Sequence, residues 1–456
     1  MTSAYRMLCV GDVHLGRHPT RVPVRDDRLT VAHVWRQCVD AAVQRDVDAV
    51  ILPGDVVDRE NKMYEAFGTL QRGVRRLTDA GIDVVAVAGN HDFDALPRLV
   101  DALDAPRLHL LGRGGTWETL ALPATDPRIR FVGWSFPEAH VTASPVDDLS
   151  VDGLDLEAGA LPTVGVMHGE VGASQSRYAP AQRSALADVP ATAWVLGHIH
   201  APGVHREGRQ LQLYVGSPQP LDPGETGPHG AWIVEVRPER RAQARPVPRA
   251  TVRYAPVTVD VTDAADADAV ERAVLDGIRA RLAAIVDETP TVRRVATRLH
   301  IEGRTHLHRE IEAMTDALHD DLTVHVDDTT ATLDAITIDT RPAHDLEALA
   351  DGGDTPAVLA QLLLDLEQGR DTDAVTDLLQ RTREAAHEVH DASGYAPLRR
   401  DGATQDPPSD ATLREILHHR GLLLLDELHA QTGADPRGTG EDENGNAKTF
   451  NVERHE

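Results

Sequence analysis

A repeated pattern constrains the fold most: a short apolar run ends in a loop that begins with glycine or a polar residue. The runs are MLCVGD (7–12), DAVILPGD (48–55), DVVAVAGN (83–90), TVGVMHG (163–169) and AWVLGH (193–198). Amphipathic stretches, such as residues 30–44 and 65–79, lie between them. Alternation of strand, loop and helix predicts a layered α/β domain. Open sheets of this kind bind ligands at the carboxyl ends of their strands, where these loops lie.

The loops after these runs carry imidazole, carboxylate and amide side chains. Asp-x-His and His-x-His place two such groups on one side of an extended segment, because side chains alternate in direction. The set suits manganese, iron or zinc rather than calcium or a thiolate-bound metal. The candidate ligands are Asp12, His14, Asp55, Asn90, His168, His198 and His200. These ligands are enough for two ions, which together can clamp the attacking and leaving oxygens of a phosphoryl displacement.

Cysteine content and hydropathy bear on the cellular compartment. Cys9 and Cys38 are the only cysteines among 456 residues, too few for a disulfide framework or a four-thiolate zinc site. No run approaches the ~20 apolar residues that span a bilayer. The first residues, MTSAYRMLCVGDVH, lack the charged and then apolar order of a signal peptide. We therefore expect a cytoplasmic protein without membrane association.

The charge distribution is uneven. The net charge of −27 should repel nucleic acid at long range. As an explanation of this charge, adaptation to a salt-rich environment is favoured over an acidic surface that binds a basic partner. Residues 236–256 are an exception, with one acid, Glu239, and the arginines Arg237, Arg240, Arg241, Arg245, Arg249 and Arg253. The prolines of this segment favour an interdomain linker. The alternative is an edge that contacts phosphates.

The pattern changes along the chain and predicts several modules. Residues 1–245 hold the five loops and form the first domain. Residues 246–342 predict a small α/β domain, with strands at 251–261, 293–302, 322–327 and 333–339, helices at 267–286 and 306–319, and His306 and His308 on the surface. Residues 343–432 predict helices; the last covers 411–431, is capped by Asp410 and carries a stripe of Leu413, Leu417, Leu424 and Leu428. The composition of residues 433–456 predicts a disordered acidic tail.

The five loops, in this order, resemble the motifs of calcineurin-like metallophosphoesterases. Within that superfamily Asp-Val-His-Leu-Gly (12–16), Gly-Asp-Val-Val-Asp (54–58) and Gly-His-Ile-His (197–200) resemble the bacterial SbcD-type repair nucleases. Arg-Tyr-Ala-Pro (177–180), Tyr-Val-Gly-Ser-Pro-Gln (214–219) and Gly-Glu-Thr-Gly-Pro-His-Gly (224–230) are similar to the YhaO-type exonucleases. The resemblance implies a layered α/β sandwich of two mixed sheets flanked by helices, followed by a small α/β capping domain and C-terminal helices.

The resemblance also implies roles for the site residues. One metal would be held by Asp12, His14, Asp55 and His200, the other by Asp55, Asn90, His168 and His198, with Asp55 bridging. A water between the metals would lose a proton and attack phosphorus. His91 would be the catalytic residue that stabilises or protonates the leaving oxygen, and Asp92 would orient its ring. Asp58 occupies the position at which some relatives have a histidine that touches substrate. The resemblance therefore does not decide between exonucleolytic and endonucleolytic cleavage.

These features predict the DNA exonuclease subunit of a repair complex, a hydrolase with two divalent ions. Manganese is the first choice, with iron or zinc as alternatives. The expected partners are DNA and an SbcC-like ATPase that binds the C-terminal helices; a homodimer is left open. Arg17, His18 and Arg59 either meet the nucleic-acid backbone or are solvated loop residues, and Tyr178 either stacks on a base or packs. The alternatives are a small-molecule phosphoesterase or cyclic-nucleotide phosphodiesterase, and a catalytically silent scaffold subunit.

Overall fold

The computed structural model of the protein describes residues 4–22, 26–58, 63–154, 156, 161–173, 175–313, 322–391 and 407–432. Two compact units divide the chain. The first comprises Met1–Val257, Leu275–Leu299 and His319–Ile336, and the second Thr258–Val274, His300–Leu318 and Thr337–Glu456. No helix in the described ranges is both long and apolar enough to cross a membrane.

The strands are numbered in chain order. They are β1 (Tyr5–Cys9), β2 (Ala49–Pro53), β3 (Asp83–Val87), β4 (Leu108–Leu110), β5 (Trp117–Leu122), β6 (Ile129–Trp134), β7 (Thr163–His168), β8 (Ala193–Gly197), β9 (Gly203–Glu207), β10 (Gln210–Tyr214), β11 (Gly230–Arg237), β12 (Arg241–Pro248), β13 (Val252–Asp260), β14 (Arg294–Thr305), β15 (Thr323–Val326) and β16 (Thr329–Pro342). The α-helices are α1 (Val31–Gln44), α2 (Met63–Asp79), α3 (Ala95–Leu103), α4 (Arg183–Asp188), α5 (Ala267–Glu288), α6 (Leu346–Ala350), α7 (Thr355–Glu367), α8 (Asp373–Asp391) and α9 (Asp410–Thr432).

Two six-stranded mixed sheets form the core of the first unit. Their orders are β12-β11-β1-β2-β3-β4 and β5-β6-β7-β8-β10-β9. Strands β1 to β4 run parallel, and so do β6, β7, β8 and β10, so the loops after β1, β2 and β3 leave one edge of the first sheet. The loops after β7 and β8 likewise leave one edge of the second sheet. The predicted pair of mixed sheets with flanking helices is confirmed.

Alternate faces of the strands build separate apolar layers. Met7, Ile51 and Val85 of the first sheet pack with Phe131 and Val166 of the second. The opposite face of the first sheet packs on α1, α2 and α3, where the Trp35 ring is fully buried. Burial of each such large apolar side chain contributes about 1.5–3 kcal/mol, so these layers hold the strand ends at fixed positions.

The linker interpretation of residues 236–256 is wrong. These residues lie in β11, β12 and β13, and β12 pairs antiparallel with β11 along its whole length. Pro246 and Pro248 sit in an edge strand, where a missing N–H costs no ladder bond on the open side. Composition therefore indicated a linker where the chain forms a hairpin.

The third sheet has the order β13-β14-β16-β15, and α5 lies between β13 and β14 in the chain. The expected strands and the helix at 267–286 correspond to these elements. Of the helix expected at 306–319, residues 308–313 are helical and residues 314–319 lie outside the described ranges. His308 is buried rather than on the surface, and its Nδ1 lies 2.7 Å from Thr340 Oγ1.

Helices α6 to α9 pack around an apolar cluster within the second unit. Leu413, Leu422 and Leu425 of α9 are buried in this cluster with Leu363 of α7. Leu424 is 49% exposed, so this member of the expected stripe does not pack within the cluster. The N-terminal cap of α9 also differs from the predicted one, Asp410. Ser409 Oγ accepts a hydrogen bond from the Thr412 N–H, and Asp410 is already the first helical residue. The tail at 433–456 lies outside the described residues.

Candidate metal centre

The candidate ligands meet where the two sheets present their strand ends. Asp12 and His14 follow β1, Asp55 follows β2, and Asn90 follows β3. His168 ends β7, and His198 and His200 follow β8. All seven belong to the first compact unit. Parallel pairing within each sheet thus brings together side chains that are up to 188 residues apart.

Asp55 lies at the centre of the group. Its Oδ2 is 3.3 Å from His168 Nε2 and 3.6 Å from His14 Nε2. Its Oδ1 accepts a hydrogen bond of 2.9 Å from the His91 N–H, which orients the carboxylate. A single carboxylate oxygen is therefore shared between two groups of nitrogen donors, as a bridging ligand requires.

Donor atoms on each side of Asp55 converge. On one side, His14 Nε2 and His200 Nε2 are 3.1 Å apart. On the other, His168 Nε2 is 3.0 Å from Asn90 Oδ1, while His168 Nδ1 is 3.0 Å from the Pro53 carbonyl oxygen. The carbonyl accepts the Nδ1 proton and leaves Nε2 free to act as a donor to a cation.

His198 joins the second side by ring contact. Its ring centroid is 5.3 Å from that of His168 in an edge arrangement, and Tyr178 covers it at 4.8 Å. Its backbone N–H donates to Asp12 Oδ1 at 2.8 Å, which ties the loop after β8 to the loop after β1. Tyr178 is thus a packing partner of a candidate ligand.

Several candidate ligands have an unusual backbone conformation. Asp12, His14, Asp55 and His198 have φ angles of 44°, 49°, 50° and 94°. A positive φ is uncommon for residues other than glycine and costs free energy, so such residues concentrate at functional sites. The loops accept this cost in order to turn the four side chains inward.

Two glycines of the motifs leave room for the ligands. A Cβ on Gly54, whose φ is +95°, would lie 2.5 Å from His168 Nδ1. A Cβ on Gly89 would lie 2.2 Å from Asp55 Oδ1. Any side chain at either position would displace a candidate ligand.

The electrostatics of the pocket favour a positive charge. Burial raises the pKa of Asp12. Burial alone would lower the pKa of His168, but Asp55 and Asp12 outweigh it and raise that pKa to about 9. Burial and the neighbouring His168 lower the pKa of His198 to about 3, so its ring is neutral at pH 7. At pH 7 these pKa values leave a proton on His168, at a place where a divalent cation would supply the counter-charge to the carboxylates instead, and they leave His198 in the neutral form that binds a cation.

Two buried polar atoms that lack hydrogen-bond partners also indicate a site for a cation. Asp12 Oδ2 and His14 Nδ1 are buried and have no hydrogen-bond partner among the described residues. Such atoms are costly unless an ion or water satisfies them. Donor atoms of Asp12, His14 and His200 lie within 4.8 Å of one another, as do those of Asp12, Asp55 and His168. The residues therefore fit the cations that the sequence predicted.

His91 is more exposed than the ligands at the centre of the group. Its side chain is 37% exposed, whereas the side chains of His14, Asp55 and His168 are at most 3% exposed. Its ring packs edge-on against His14 with centroids 4.9 Å apart. A histidine beside the donor cluster that remains open to solvent is placed to meet a substrate.

The expected role of Asp92 is not what the structure shows. Its carboxylate accepts hydrogen bonds from the Val56, Val57 and Gly89 N–H groups, at 2.7, 3.3 and 2.7 Å. It therefore holds the loops after β2 and β3 together. The carboxylate near the His91 ring is that of Asp58, whose Oδ2 is 4.0 Å from His91 Nδ1.

Asp58 is a residue whose contacts sequence reasoning missed. It is buried, and its Oδ2 is 3.6 Å from both His14 Nδ1 and Arg17 Nε. Arg17 Nη2 also lies 3.4 Å from Asp222 Oδ2. Of the other two residues expected near nucleic acid, His18 is exposed and Arg59 lies outside the described residues. Arg17 is thus held by carboxylates at the rim of the site.

Glu225 was also missed as a site residue. Its Oε1 is 2.8 Å from His200 Nδ1, and its Oε2 accepts from Ser217 Oγ at 2.8 Å and from the Leu221 N–H at 3.1 Å. Burial raises its pKa, but the hydrogen bond and charge of His200 outweigh this and lower the pKa overall. The Gly-Glu-Thr-Gly stretch was the available signal, since an acid between glycines can approach a site closely.

Comparison with known proteins agrees with this geometry. Residues 5–202 match the family described as calcineurin-like phosphoesterase. This segment is a calcineurin-like phosphoesterase domain. Residues 254–341 match a second family, described as the middle domain of metallophosphoesterase YhaO. The resemblance inferred from the motifs is confirmed, and it extends to the YhaO type.

Several named proteins are similar to this chain over part of its length. The chain is 27% identical over 236 residues to the uncharacterized metallophosphoesterase YhaO of Bacillus subtilis, covering 48% of this chain and 52% of that one. It is 28% identical over 270 residues to the DNA double-strand break repair protein Mre11 of Haloferax volcanii, covering 59% and 56%. The Mre11 of Aeropyrum pernix is 36% identical over 87 residues, which is 19% of this chain and 21% of that one. The chain thus spans about half the length of the curated relatives it matches first.

Proposed function

We propose that the protein is a two-metal phosphodiesterase that shortens DNA from an end, as the nuclease subunit of a repair complex in the cytoplasm. The convergence of donor atoms from Asp12, His14, Asp55, His168 and His200 carries this proposal, with Asn90 and His198 beside His168. The names of the Mre11 relatives support DNA as the substrate class. Manganese is the proposed metal, with iron or zinc as alternatives.

The ligands divide into two sets that share Asp55. Asp12, His14, Asp55 and His200 would hold one ion. Asp55, Asn90, His168 and His198 would hold the other. Bound divalent ions supply a Lewis acid for the phosphoryl oxygens and lower the pKa of a bound water.

The remaining residues act on the substrate or on the ligands. His91, which is partly open to solvent beside the cluster, would stabilise or protonate the leaving oxygen. Asp58, near both His14 and His91, would hold these rings in place. Asp92 would keep the loops after β2 and β3 at a fixed separation through its three backbone hydrogen bonds.

We also propose a division of labour along the chain. Residues 1–245 would carry catalysis, residues 246–342 would form a capping domain, and residues 343–432 would bind an SbcC-like ATPase. Val358, Val389 and Ile416 on α7, α8 and α9 are 72%, 50% and 46% exposed, and exposed apolar side chains favour a protein partner. Loss of ATPase capture on deletion of residues 405–456 would support this assignment.

The test is manganese-dependent cleavage of end-labelled single- and double-stranded DNA, beside p-nitrophenyl phosphate and a bis-ester analogue. His91→Ala should lower kcat on DNA by roughly 10²–10⁴-fold, the usual contribution of an acid or base. His205→Ala is the matched control, because His205 lies on the edge strand β9 and pairs with Glu207. End-shortened products that His91→Ala abolishes and His205→Ala leaves unchanged would support the proposal.

A small-molecule phosphoesterase is the second candidate, favoured by the net charge of −27. Salt separates the two, because DNA affinity falls steeply as counterions compete for phosphates. Hydrolysis of only the small esters, at a rate insensitive to salt, would replace the nuclease with this alternative. Metal binding without hydrolysis of any substrate would favour a silent scaffold.

A further inference from the structure

The hairpin of β11 and β12 carries a concentration of arginine that the metal centre does not use. Residues 237–249 contain five arginines and one acidic residue, Glu239, in a chain whose net charge is −27. Strand β12 ends the order of the first sheet, so one of its sides pairs with no described strand.

Strand geometry aligns these arginines. Side chains of a strand alternate in direction, so Arg241, Gln243 and Arg245 share one face of β12, and all three are exposed. Ala242, on the other face, is buried in the layer between the sheets. At about 3.3 Å per residue, Arg241 and Arg245 are spaced about 13 Å apart along the strand.

Two further arginines extend this row. Arg237 of β11 is the register partner of Arg241, directly across the hairpin. Arg249 follows β12, and burial together with the nearby charge of Arg45, the residue after α1, lowers its pKa. We call Arg237, Arg241, Arg245 and Arg249 the arginine ladder.

The ladder has little internal neutralisation. Arg237 reaches Glu239 at 3.9 Å, with both side chains more than half exposed, which is a weak pair. In the described part of the chain, no carboxylate oxygen lies within 4.0 Å of the Arg241, Arg245 or Arg249 guanidinium. Glu235, opposite Gln243, is the other acid on the hairpin. The charge is therefore available to a ligand.

The arrangement has a cost in stability. Like charges directly opposite each other across two strands destabilise a hairpin, as Arg237 and Arg241 do here. The turn between them places Arg240 at a φ of 59°, in the left-handed region. Charged side chains and prolines on an edge strand discourage pairing with another chain, and β12 carries both. Such protection does not require like charges directly opposite each other on paired strands, so their presence here indicates a binding role.

We propose that the arginine ladder binds the sugar–phosphate backbone of nucleic acid outside the metal centre. The proposal rests on the proposed function, since it takes DNA as the substrate. Guanidinium forks match phosphate oxygens in geometry and charge, and Gln243 adds a neutral donor between two of them. Strand β12 has the sequence RAQARPVP, which contains no aromatic residue to stack on bases. Recognition would therefore be independent of sequence.

The register places the ladder relative to the metal centre. Leu8 and Cys9, near the end of β1 that leads to Asp12, pair with Ile233 and Trp232. Ile233 pairs with Arg245, whereas Arg237 and Arg241 lie level with the start of β1. The ladder therefore begins beside the ligand-bearing end of the sheet and leads away from it. A bound strand would be held behind its reacting end, which affects affinity rather than chemistry.

The experiment measures binding of a fluorescent oligonucleotide by anisotropy across a salt series, in the His91→Ala background. The variant Arg241→Gln/Arg245→Gln should weaken binding and lower the slope of log K against log salt by about 1.4 on single-stranded DNA, about 0.7 for each lost phosphate contact. The control Arg272→Gln/Arg279→Gln removes the same charge from exposed positions of α5 and should leave the slope unchanged.

The outcomes are separable. An unchanged slope and affinity in a ladder variant, while the parent chain cleaves DNA, would overturn the ladder and leave the proposed function standing. Equal losses in the ladder variant and the α5 control would also overturn it, because net charge alone would then account for binding. A parent chain that binds no oligonucleotide and hydrolyses only small esters would overturn both proposals. A ladder variant that binds normally but self-associates in gel filtration would identify the arginines as protection of the sheet edge instead.

Discussion

Glu225 Oε1 lies 2.8 Å from His200 Nδ1, so the far side of a candidate metal ligand is held by a partly buried carboxylate. Glu225 is itself fixed by Ser217 Oγ and the Leu221 N–H. A carboxylate behind a ligating histidine sets its ring orientation and makes the other nitrogen a better donor. His200 should therefore depend on Glu225 for its strength as a ligand.

Replacement of Glu225 tests this dependence. Glu225→Gln keeps the shape and a hydrogen-bond acceptor but removes the charge, so we expect manganese affinity to fall roughly 10–100-fold. Isothermal titration calorimetry measures the change directly. Glu239→Gln, on an exposed side chain of the β11–β12 turn, is the control for charge. Equal affinities in the parent and Glu225→Gln would show that His200 binds without this support.

Asp55 should determine how many ions bind. Its Oδ2 lies between His14 Nε2 and His168 Nε2, so Asp55→Asn removes a charge that both ligand sets use. We expect the metal content to fall from about two ions per chain to at most one. Elemental analysis of dialysed protein gives the number. Asp40→Asn, on α1 and paired with Arg76, is the control; retention of both ions by Asp55→Asn would rule out a bridging role.

The parts of the site that could be predicted are those encoded locally. Each of Asp12, Asp55 and Asn90 follows an apolar run directly, and parallel strands place such positions at one edge of a sheet. Glu225 could not be found in this way, because 25 residues separate it from His200 and its contact depends on how a loop folds back. Asp92 looked like a partner of His91 because it is adjacent in sequence, yet its carboxylate points to backbone N–H groups of two loops.

The fold shows the same division between local and tertiary signals. Helix α1 was expected because residues 30–44 are amphipathic, and the structure adds the cap, in which the His33 N–H bonds to Thr30 Oγ1 at 3.2 Å. The arginine- and proline-rich hairpin was mistaken for a linker, since composition cannot show that β11 supplies a partner for β12. The burial of Leu424 could not be predicted from its spacing, because α9 is packed on several sides and the cluster takes up Leu413, Leu422 and Leu425 but leaves Leu424 exposed.

Both cysteines should be unreactive in the folded protein. Cys9 and Cys38 are fully buried, and burial raises the pKa of Cys38 to about 12 and that of Cys9 further still. The thiolate is the reactive form, so at pH 8 neither should react with Ellman's reagent over minutes. In guanidinium chloride both should react at once. Rapid reaction of one thiol in the native protein would show that its strand or helix opens readily.

Gly89 should be hard to replace, because it lies directly against the shared carboxylate of Asp55. A Cβ at this position would lie 2.2 Å from Asp55 Oδ1 and 2.7 Å from the Asp55 backbone nitrogen, so Gly89→Ala must displace the shared carboxylate or the loop that carries it. We expect a loss of about 1–3 kcal/mol in the free energy of unfolding, as for other overpacked sites, together with weaker manganese binding.

The matched control is Gly203→Ala at the start of β9, where an added Cβ meets nothing within 4 Å. That change should alter the free energy of unfolding by less than about 0.5 kcal/mol and leave manganese binding intact. Urea unfolding with and without manganese measures both quantities. Because metal binding stabilises only the folded state that can bind it, the stabilisation by manganese should shrink in Gly89→Ala and persist in Gly203→Ala. Equal stabilisation of the two variants would show that the close approach of Gly89 to Asp55 is not what shapes the centre.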